Sequence, residues 1–96
     1  MTKPYLSVVV PAFNEEERIA STIDSLVDYL SKCSCQWELL VINDGSTDST
    51  AQIVSEISRS DGRVRLIDAP HGGKGTAARN GMVQAAGEWR FLCDAD

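Results

Sequence analysis

The sequence predicts an α/β fold, a doubly wound parallel sheet with strand order 3-2-1-4 and helices on both faces, in a three-layer α/β/α arrangement. One observation is a series of short, continuous apolar runs, which are typical of strands covered on both faces. The other is that these runs alternate with segments of helical spacing in units of about 30 residues, the pattern of βαβ crossovers. A length of 96 residues allows one small domain.

The first apolar run, Leu6 to Val10, predicts a buried strand. Pro11 is expected to end it, because proline has no amide hydrogen to continue a ladder. Asn14 is then predicted to cap a helix opened by Glu15–Glu17, whose charges favour the positive end of the helix dipole. Apolar residues at helical spacing form the buried stripe of that helix: Ile19, Ile23, Leu26, Val27 and Leu30.

The second run, at 39–42, leads into a polar turn in which Gly45 supplies the backbone freedom that a tight turn needs. Ser46–Thr47 offer hydroxyls to cap the next helix, with Asp48 in its first turn. Ligands of open parallel sheets bind beyond the carboxyl ends of the strands. Asp44, at such an end, is therefore the first candidate for a ligand contact.

The rest of the chain continues the alternation. A helix with its apolar face on Ile53, Val54 and Ile57 precedes a third strand at 64–67, and a fourth strand is expected at 89–93. The helix between those strands, roughly 76–86, has a face of small residues that allows close packing on a sheet: Ala77, Ala78, Gly81, Met82 and Ala85.

Charge and composition exclude some functions. The net charge of −5 disfavours nucleic-acid binding, which depends on basic residues that neutralise phosphates. No apolar run approaches the roughly 20 residues of a membrane span, and the N-terminus lacks the features of a signal peptide. Cys33, Cys35 and Cys93 are interpreted as reduced thiols, so the expected location is cytoplasmic.

The glycine-rich loop at 71–75 matches neither common nucleotide motif. A phosphate-binding P-loop needs Ser or Thr directly after its Gly-Lys pair, and the dinucleotide fingerprint needs its turn directly after a strand. What remains is that Lys74, the amides of a helix N-terminus and Arg79 can face an anion. The alternative is a solvated loop with two surface cations. His71 has no second ligand nearby in the sequence and is left out of the predicted site.

Asp94 and Asp96 end the sequence directly after the fourth strand. Carboxylates at i and i+2 of an extended segment point the same way, and such oxygen ligands suit Mg²⁺ or Mn²⁺ bridging to a diphosphate. An isolated Asp-x-Asp is more often a solvated turn. The predicted strand order, however, places the pair beside the loop at 11–15, at the switch point of the sheet, with Asp44 bordering the same crevice.

Four segments in this order, VVVPAFNEEERI, LLVINDGSTDST, GGKGTAARNGMVQAAGEW and FLCDAD, resemble the nucleotide-binding half of family 2 glycosyltransferases with the GT-A fold. The pattern is especially similar to the dolichyl- or polyprenyl-phosphate mannosyl- and glucosyltransferases. The resemblance covers the chain from Leu6 onwards and implies that residues 1–96 are the nucleotide-sugar-binding part of a larger domain, which continues after the Asp-x-Asp.

The resemblance also implies roles for individual residues. Asp44 would bond the nucleobase edge, and Asn43 stands where the family commonly has another aspartate. Asp96 would bind the metal directly, and Asp94 would contact ribose or metal-bound water, so both are assigned to the metal site. The full set implied for the nucleotide sugar is Pro11, Ala12, Phe13 (in place of the usual tyrosine), Glu15, Ile42, Asp44, Lys74, Arg79 and Asp94.

The implied activity is inverting transfer of a hexose from a UDP- or GDP-sugar to a dolichyl or polyprenyl phosphate or to a glycan. The general base and acceptor site of the family lie after the Asp-x-Asp, so this chain is expected to bind the donor and to be inactive alone. The full-length protein is expected at the cytoplasmic face of a membrane. The open edge of the fourth strand predicts self-association.

Two other functions remain open. A non-catalytic nucleotide-binding or regulatory module with a flavodoxin-like sheet would fit the same strands, and it would need no metal ion to bind its ligand. A nucleotidyltransferase is a third hypothesis. Such enzymes usually have a glycine-rich loop after the first strand, and this sequence has PAFNEEE at that position.

Overall fold

The computed structural model describes residues 4–93. Its elements, in chain order, are β1 (Leu6–Ala12), α1 (Ile19–Ser31), β2 (Trp37–Asp44), α2 (Thr50–Ser60), β3 (Val64–Ala69), α3 (Lys74–Gln84) and β4 (Trp89–Leu92). The four strands form one parallel sheet in the order β3-β2-β1-β4, which confirms the predicted topology. Within residues 4–93, no helix is long and apolar enough to cross a bilayer.

The sheet separates two hydrophobic cores. Alternate residues of β1 and β2 face α1 and α2, and the residues between them face α3, because successive side chains of a strand point to opposite faces. The larger core, under α1 and α2, contains Val8, Val10, Leu39, Val41, Ile19, Ile23, Leu30 and Val54. The smaller core, under α3, contains Val9, Leu40, Ile42, Ala77 and Ala85. Helices on both faces confirm the three-layer arrangement.

Both central strands run further than the sequence pattern predicts. Pro11 does not end β1, since it pairs with Ile42 of β2. The backbone groups of Pro11 and Val9 point to the same side of β1, because the two residues are two positions apart in the strand. The Val9 carbonyl accepts from Cys93 N–H on the β4 side, so the Pro11 nitrogen, which has no hydrogen to donate, also faces that side. The pairing of β1 with β4 ends at Val9 and Leu92, so no ladder bond is lost there. Likewise β2 continues through Asp44, because positions 43 and 44 pair with β3.

Two helices begin later than the sequence predicts. Glu15–Glu17 form a turn before α1, which begins at Ile19, and Asn14 adopts a positive φ of 51° rather than capping that helix. Asp48 also precedes its helix, since α2 begins at Thr50, and Ser46–Thr47 do not cap it. In the loops after β1 and β2, polar side chains such as Asn14 and Asp48 form hydrogen bonds between the two loops or with nearby backbone, and they do not lie in the first turn of a helix. The stripes predicted inside the helices are confirmed.

Helix α3 packs closely on side chains of β1 and β2. A Cβ atom placed on Gly81 would overlap Val9 Cγ1 and would lie 3.0 Å from Ile42 Cγ1. Any larger residue at this point of contact would force neighbouring side chains to shift. The face of small residues predicted for this helix explains the close packing.

Near the amino ends of β1 and β2, a buried polar cluster bonds the sheet to the α3–β4 connection. The Ser7 hydroxyl donates to Glu38 Oε2 at 2.6 Å and accepts from Gly87 N–H at 2.8 Å. The same carboxylate accepts from Ala86 N–H at 2.7 Å and from Arg65 at 3.1 Å. Burial alone would raise the pKa of Glu38, but the hydrogen bonds from Ser7, Ala86 and Arg65 outweigh it and lower the pKa below its usual value.

We expect Gly81→Ala to lower the free energy of unfolding by about 1–3 kcal/mol, because the added methyl group overpacks the contact with β1. Gly75→Ala is the matched control in the same helix, since a Cβ there meets nothing within 4 Å. It should raise stability by about 0.5–1 kcal/mol through helix propensity. Urea unfolding of both variants measures the difference, and equal effects at the two positions would contradict the packing.

The lowered pKa of Glu38 predicts a pH dependence of stability. A carboxylate whose pKa is lower in the folded state stabilises the fold above its unfolded pKa of about 4.3, and this contribution is lost as the pH falls towards the folded value. Wild type should therefore lose more stability between about pH 6 and pH 3 than Glu38→Gln, as measured by urea unfolding across that range. Asp28→Asn, at an exposed ion pair with Lys32, is the control and should follow wild type.

Candidate functional site

The loops that follow β1 and β2 are joined by hydrogen bonds in both directions. Asn14 N–H donates to the Ser46 hydroxyl at 3.0 Å, and the Asn14 amide oxygen accepts from Thr47 N–H at 2.8 Å. Glu15 N–H donates to Thr50 Oγ1 at 2.9 Å. The positive φ of Asn14 is one that asparagine tolerates better than most residues. We call this set of bonds, between 14–16 and 46–50, the loop clamp.

Acidic side chains complete the loop clamp. Ser49 N–H donates to Glu16 Oε1 at 3.0 Å, and Asp48 accepts from Glu16 N–H at 3.3 Å and from Thr50 N–H at 2.9 Å. Partial burial would raise the pKa of Asp48, but these bonds and the one from the Thr50 hydroxyl lower it below its usual value. Asp48 is therefore a structural acceptor that holds the two loops together.

A cleft of about 240 Å³ opens at the carboxyl ends of β1 and β2, next to the loop clamp. Its lining residues are Pro11, Ala12, Phe13, Glu15, Asp44 and Lys74. All six were predicted as site residues, and the structure brings them together from β1, its loop, the end of β2 and the start of α3. The cleft therefore combines an exposed aromatic ring, a buried carboxylate and a cation.

The carboxylate of Asp44 is 3% exposed and has partners on both oxygens. Gly72 N–H donates to Oδ1 at 2.9 Å, and His71 Nδ1 lies 3.1 Å from Oδ2 and 3.0 Å from the Asp44 carbonyl oxygen. The His71 ring also stacks on Phe13, with ring centroids 4.4 Å apart and an angle of 30° between the planes. His71 therefore contacts two predicted site residues, although it is not itself among the residues predicted from the sequence.

Other predicted residues lie away from the surface of the cleft. Ile42 is fully buried in the core under α3, and Arg79 is exposed on that helix but does not line the cleft. Glu15 lines the cleft and forms an ion pair with Arg18. Asp94 and Asp96 lie outside the described residues, so their place beside the cleft stays a prediction.

Asn43 has a structural role at the end of β2 that was not predicted. Its amide nitrogen donates to Asp68 Oδ1 at 2.8 Å, and its amide oxygen accepts from Ser46 N–H at 3.1 Å. It therefore ties the end of β2 to both β3 and the loop clamp. Asparagine before a glycine turn is the available sequence signal, because its side chain commonly bonds to nearby backbone.

Within residues 4–93, no group of three or more His, Cys, Asp or Glu side chains could hold a metal ion. The two carboxylates at the cleft, Glu15 and Asp44, already have protein partners. The assignment of Asp94 and Asp96 to a metal site stays a prediction, because both lie outside the described residues.

Comparison with known proteins agrees with the fold. Among curated proteins, a dolichyl-phosphate beta-glucosyltransferase of Trichomonas vaginalis is 39% identical over 98 residues, covering 96% of this chain and 29% of that protein. The mouse dolichyl-phosphate beta-glucosyltransferase is 37% identical over 99 residues, covering 95% of this chain and 31% of that protein. The chain thus spans about 30% of the length of these relatives.

Solved structures of GT-A glycosyltransferases superpose on the chain. The mannosyltransferase PcManGT from Pyrobaculum calidifontis, in complex with GDP-Man and Mn²⁺, is 27% identical with a TM-score of 0.82 and covers all of this chain and 28% of its own. TarS of S. aureus, in complex with UDP-GlcNAc, is 31% identical with a TM-score of 0.79 over 96% of this chain and 26% of its own. The family description "Glycosyl transferase family 2" matches residues 7–96. The chain therefore belongs to glycosyl transferase family 2.

Proposed function

We propose that this chain is the donor-binding part of an inverting glycosyltransferase that passes a hexose from a UDP- or GDP-sugar to a dolichyl or polyprenyl phosphate. The observation that carries the proposal is the cleft in which Phe13, Asp44 and Lys74 meet. The names of the curated relatives support glucose as the sugar and dolichyl phosphate as the acceptor.

The aromatic and acidic ends of the cleft suit a nucleobase. Phe13 is 43% exposed, so its ring offers a flat apolar surface on which a base can stack. Asp44 is a buried acceptor, and a ring N–H of uracil or guanine is a donor that it could bind. A base placed between them would be recognised by both its face and its edge.

The start of α3 suits the phosphates of the donor. Helix α3 begins at Lys74, which lines the cleft, and Gly73 precedes it with a φ of 94°. A helix N-terminus carries a partial positive charge, and a lysine there adds a full one. Local positive charge is needed here, because a chain of net charge −5 otherwise repels an anionic ligand.

A divalent cation bound at Asp94 and Asp96 would supply Lewis-acid stabilisation of the charge that develops on the departing diphosphate. Mn²⁺ in the complex of the mannosyltransferase supports this part of the proposal, and either Mg²⁺ or Mn²⁺ suits carboxylate ligands. The residues of the cleft would bind and orient the donor, since Phe13 and Asp44 hold the base while Lys74 faces the phosphates.

A phosphate acceptor reduces the demand on the protein during transfer. An alcohol acceptor needs a general base to remove its proton, whereas a lipid phosphate is already an anionic nucleophile near neutral pH. We propose that residues outside this chain bind the acceptor, at the cytoplasmic face of a membrane. Self-association through β4 also stays a prediction, supported by the exposed apolar side chains of this strand: Trp89, Phe91 and Leu92.

The central prediction is metal-dependent binding of the donor. Isothermal titration of the chain with UDP-glucose and GDP-mannose, each with Mn²⁺ or with EDTA, should show binding that chelation and Asp96→Ala both weaken. Asp44→Asn should weaken binding about ten- to a hundredfold, because the amide can still accept from Gly72 N–H but loses a charged acceptor for the base. Asp28→Asn, on the far side of α1, is the control.

The pattern of losses separates the candidate functions. Binding that Asp44→Asn weakens, but that neither EDTA nor Asp96→Ala changes, would favour the non-catalytic nucleotide-binding module. Absence of binding to either nucleotide sugar in the presence of Mn²⁺ would contradict the donor-binding proposal itself.

A further inference from the structure

The His71 side chain makes two contacts of different kinds at the edge of the cleft. Its ring is stacked on Phe13 with a centroid distance of 4.4 Å. Its Nδ1 lies 3.1 Å from Asp44 Oδ2 and 3.0 Å from the Asp44 carbonyl oxygen. Both of those oxygens are acceptors, so Nδ1 must carry a hydrogen and donate it.

These are the contacts that the proposed function gives to the nucleobase. A flat, nitrogen-containing ring rests on Phe13, and a ring N–H donates to Asp44, just as we expect for the base of the donor. One face of the Phe13 ring and one oxygen of the Asp44 carboxylate are therefore already in use. A base that takes up the same partners in the same way must displace the imidazole.

We propose that His71 is a placeholder for the nucleobase, which occupies the base position in the free protein and leaves it when the donor binds. This inference rests on the proposed function. It makes His71 a determinant of donor affinity that acts by competition, in contrast to a residue that holds the donor. The imidazole keeps the aromatic face covered and the carboxylate bonded until a ligand arrives.

The surrounding geometry limits how the placeholder can leave. The main chain at position 71 lies against Gly45, where an added Cβ would be 2.7 Å from His71 N. The next residue is held as well, because Gly72 N–H donates to Asp44 Oδ1. The imidazole must therefore leave by rotation of its own side chain. Its side chain is 58% exposed, so the rotated ring has open solvent beside it.

Competition of this kind lowers the apparent affinity for the donor. A ligand that binds only the state with the ring rotated out binds more weakly by the fraction of molecules in that state. Removal of the ring should then tighten binding, by about three- to tenfold for a contact of this type. A residue that contacted the donor would behave in the opposite way, because its removal would weaken binding.

The first test is titration of wild type, His71→Ala and His71→Phe with UDP and with GDP in the presence of Mn²⁺. We expect the tightest binding for His71→Ala, and a smaller gain for His71→Phe, which keeps a ring able to stack on Phe13 but loses the N–H donor. Equal or weaker binding by His71→Ala, with wild type still binding, would overturn the placeholder and leave the proposed function intact. Failure of wild type and of His71→Ala to bind either nucleotide would overturn the proposed function.

The second test needs no variant, because His71 is the one histidine of the chain and its ring signals in NMR are unambiguous. In the free protein we expect nuclear Overhauser effects between the rings of His71 and Phe13. Saturation with UDP should abolish them and move the imidazole signals towards those of a solvated histidine. Persistence of the ring contacts in the saturated protein would overturn the inference even if His71→Ala did not fold.

Discussion

The site depends on the parallel register of β1 and β2, which pairs Ala12 with Asn43 and so ends the two central strands side by side. Register in a parallel sheet is fixed along the whole strand, and a slip of one residue would exchange the two core faces. Phe13 and Asp44 therefore become neighbours because of pairing that starts at the far end of the sheet. The loop clamp then holds the segments that leave these strands, so the cleft does not rely on a ligand to form.

The two ends of the sheet have different tasks. At the carboxyl ends, a cleft is lined by Asp44 at the end of β2, Phe13 just after β1 and Lys74 at the start of α3, and His71 contacts the first two. At the amino ends, Ser7 and Glu38 bond to the α3–β4 connection and satisfy each other in a buried cluster. Hydrogen-bonded polar groups therefore tie together the elements at both ends of the sheet, and only the carboxyl ends open into the cleft.

Periodicity was sufficient to predict the stripe of α1 and the small face of α3, and the usual topology of a doubly wound sheet supplied the order of the strands. It could not predict the roles of Asn14, Asp48 and Asn43, because their hydrogen bonds depend on which loops meet in space. His71 was missed for the same reason: its partner Asp44 is 27 residues away in sequence. The signal that could have found it is its place just after β3, the strand beside β2. The pair Asp94 and Asp96 was predicted from the sequence but lies outside the described residues.

Helix α3 approaches the sheet closely at Gly81, where the Val9 and Ile42 side chains leave no room for a Cβ atom, and Lys74 lies on the same helix about 10 Å further towards its start. The close approach at Gly81 sets the distance of the whole helix, and so of its first residue, from the strands. A bulkier residue beneath the helix would therefore shift a charge in the cleft without touching the cleft. Sequence change in the hidden core of such a domain can alter the electrostatics of its surface.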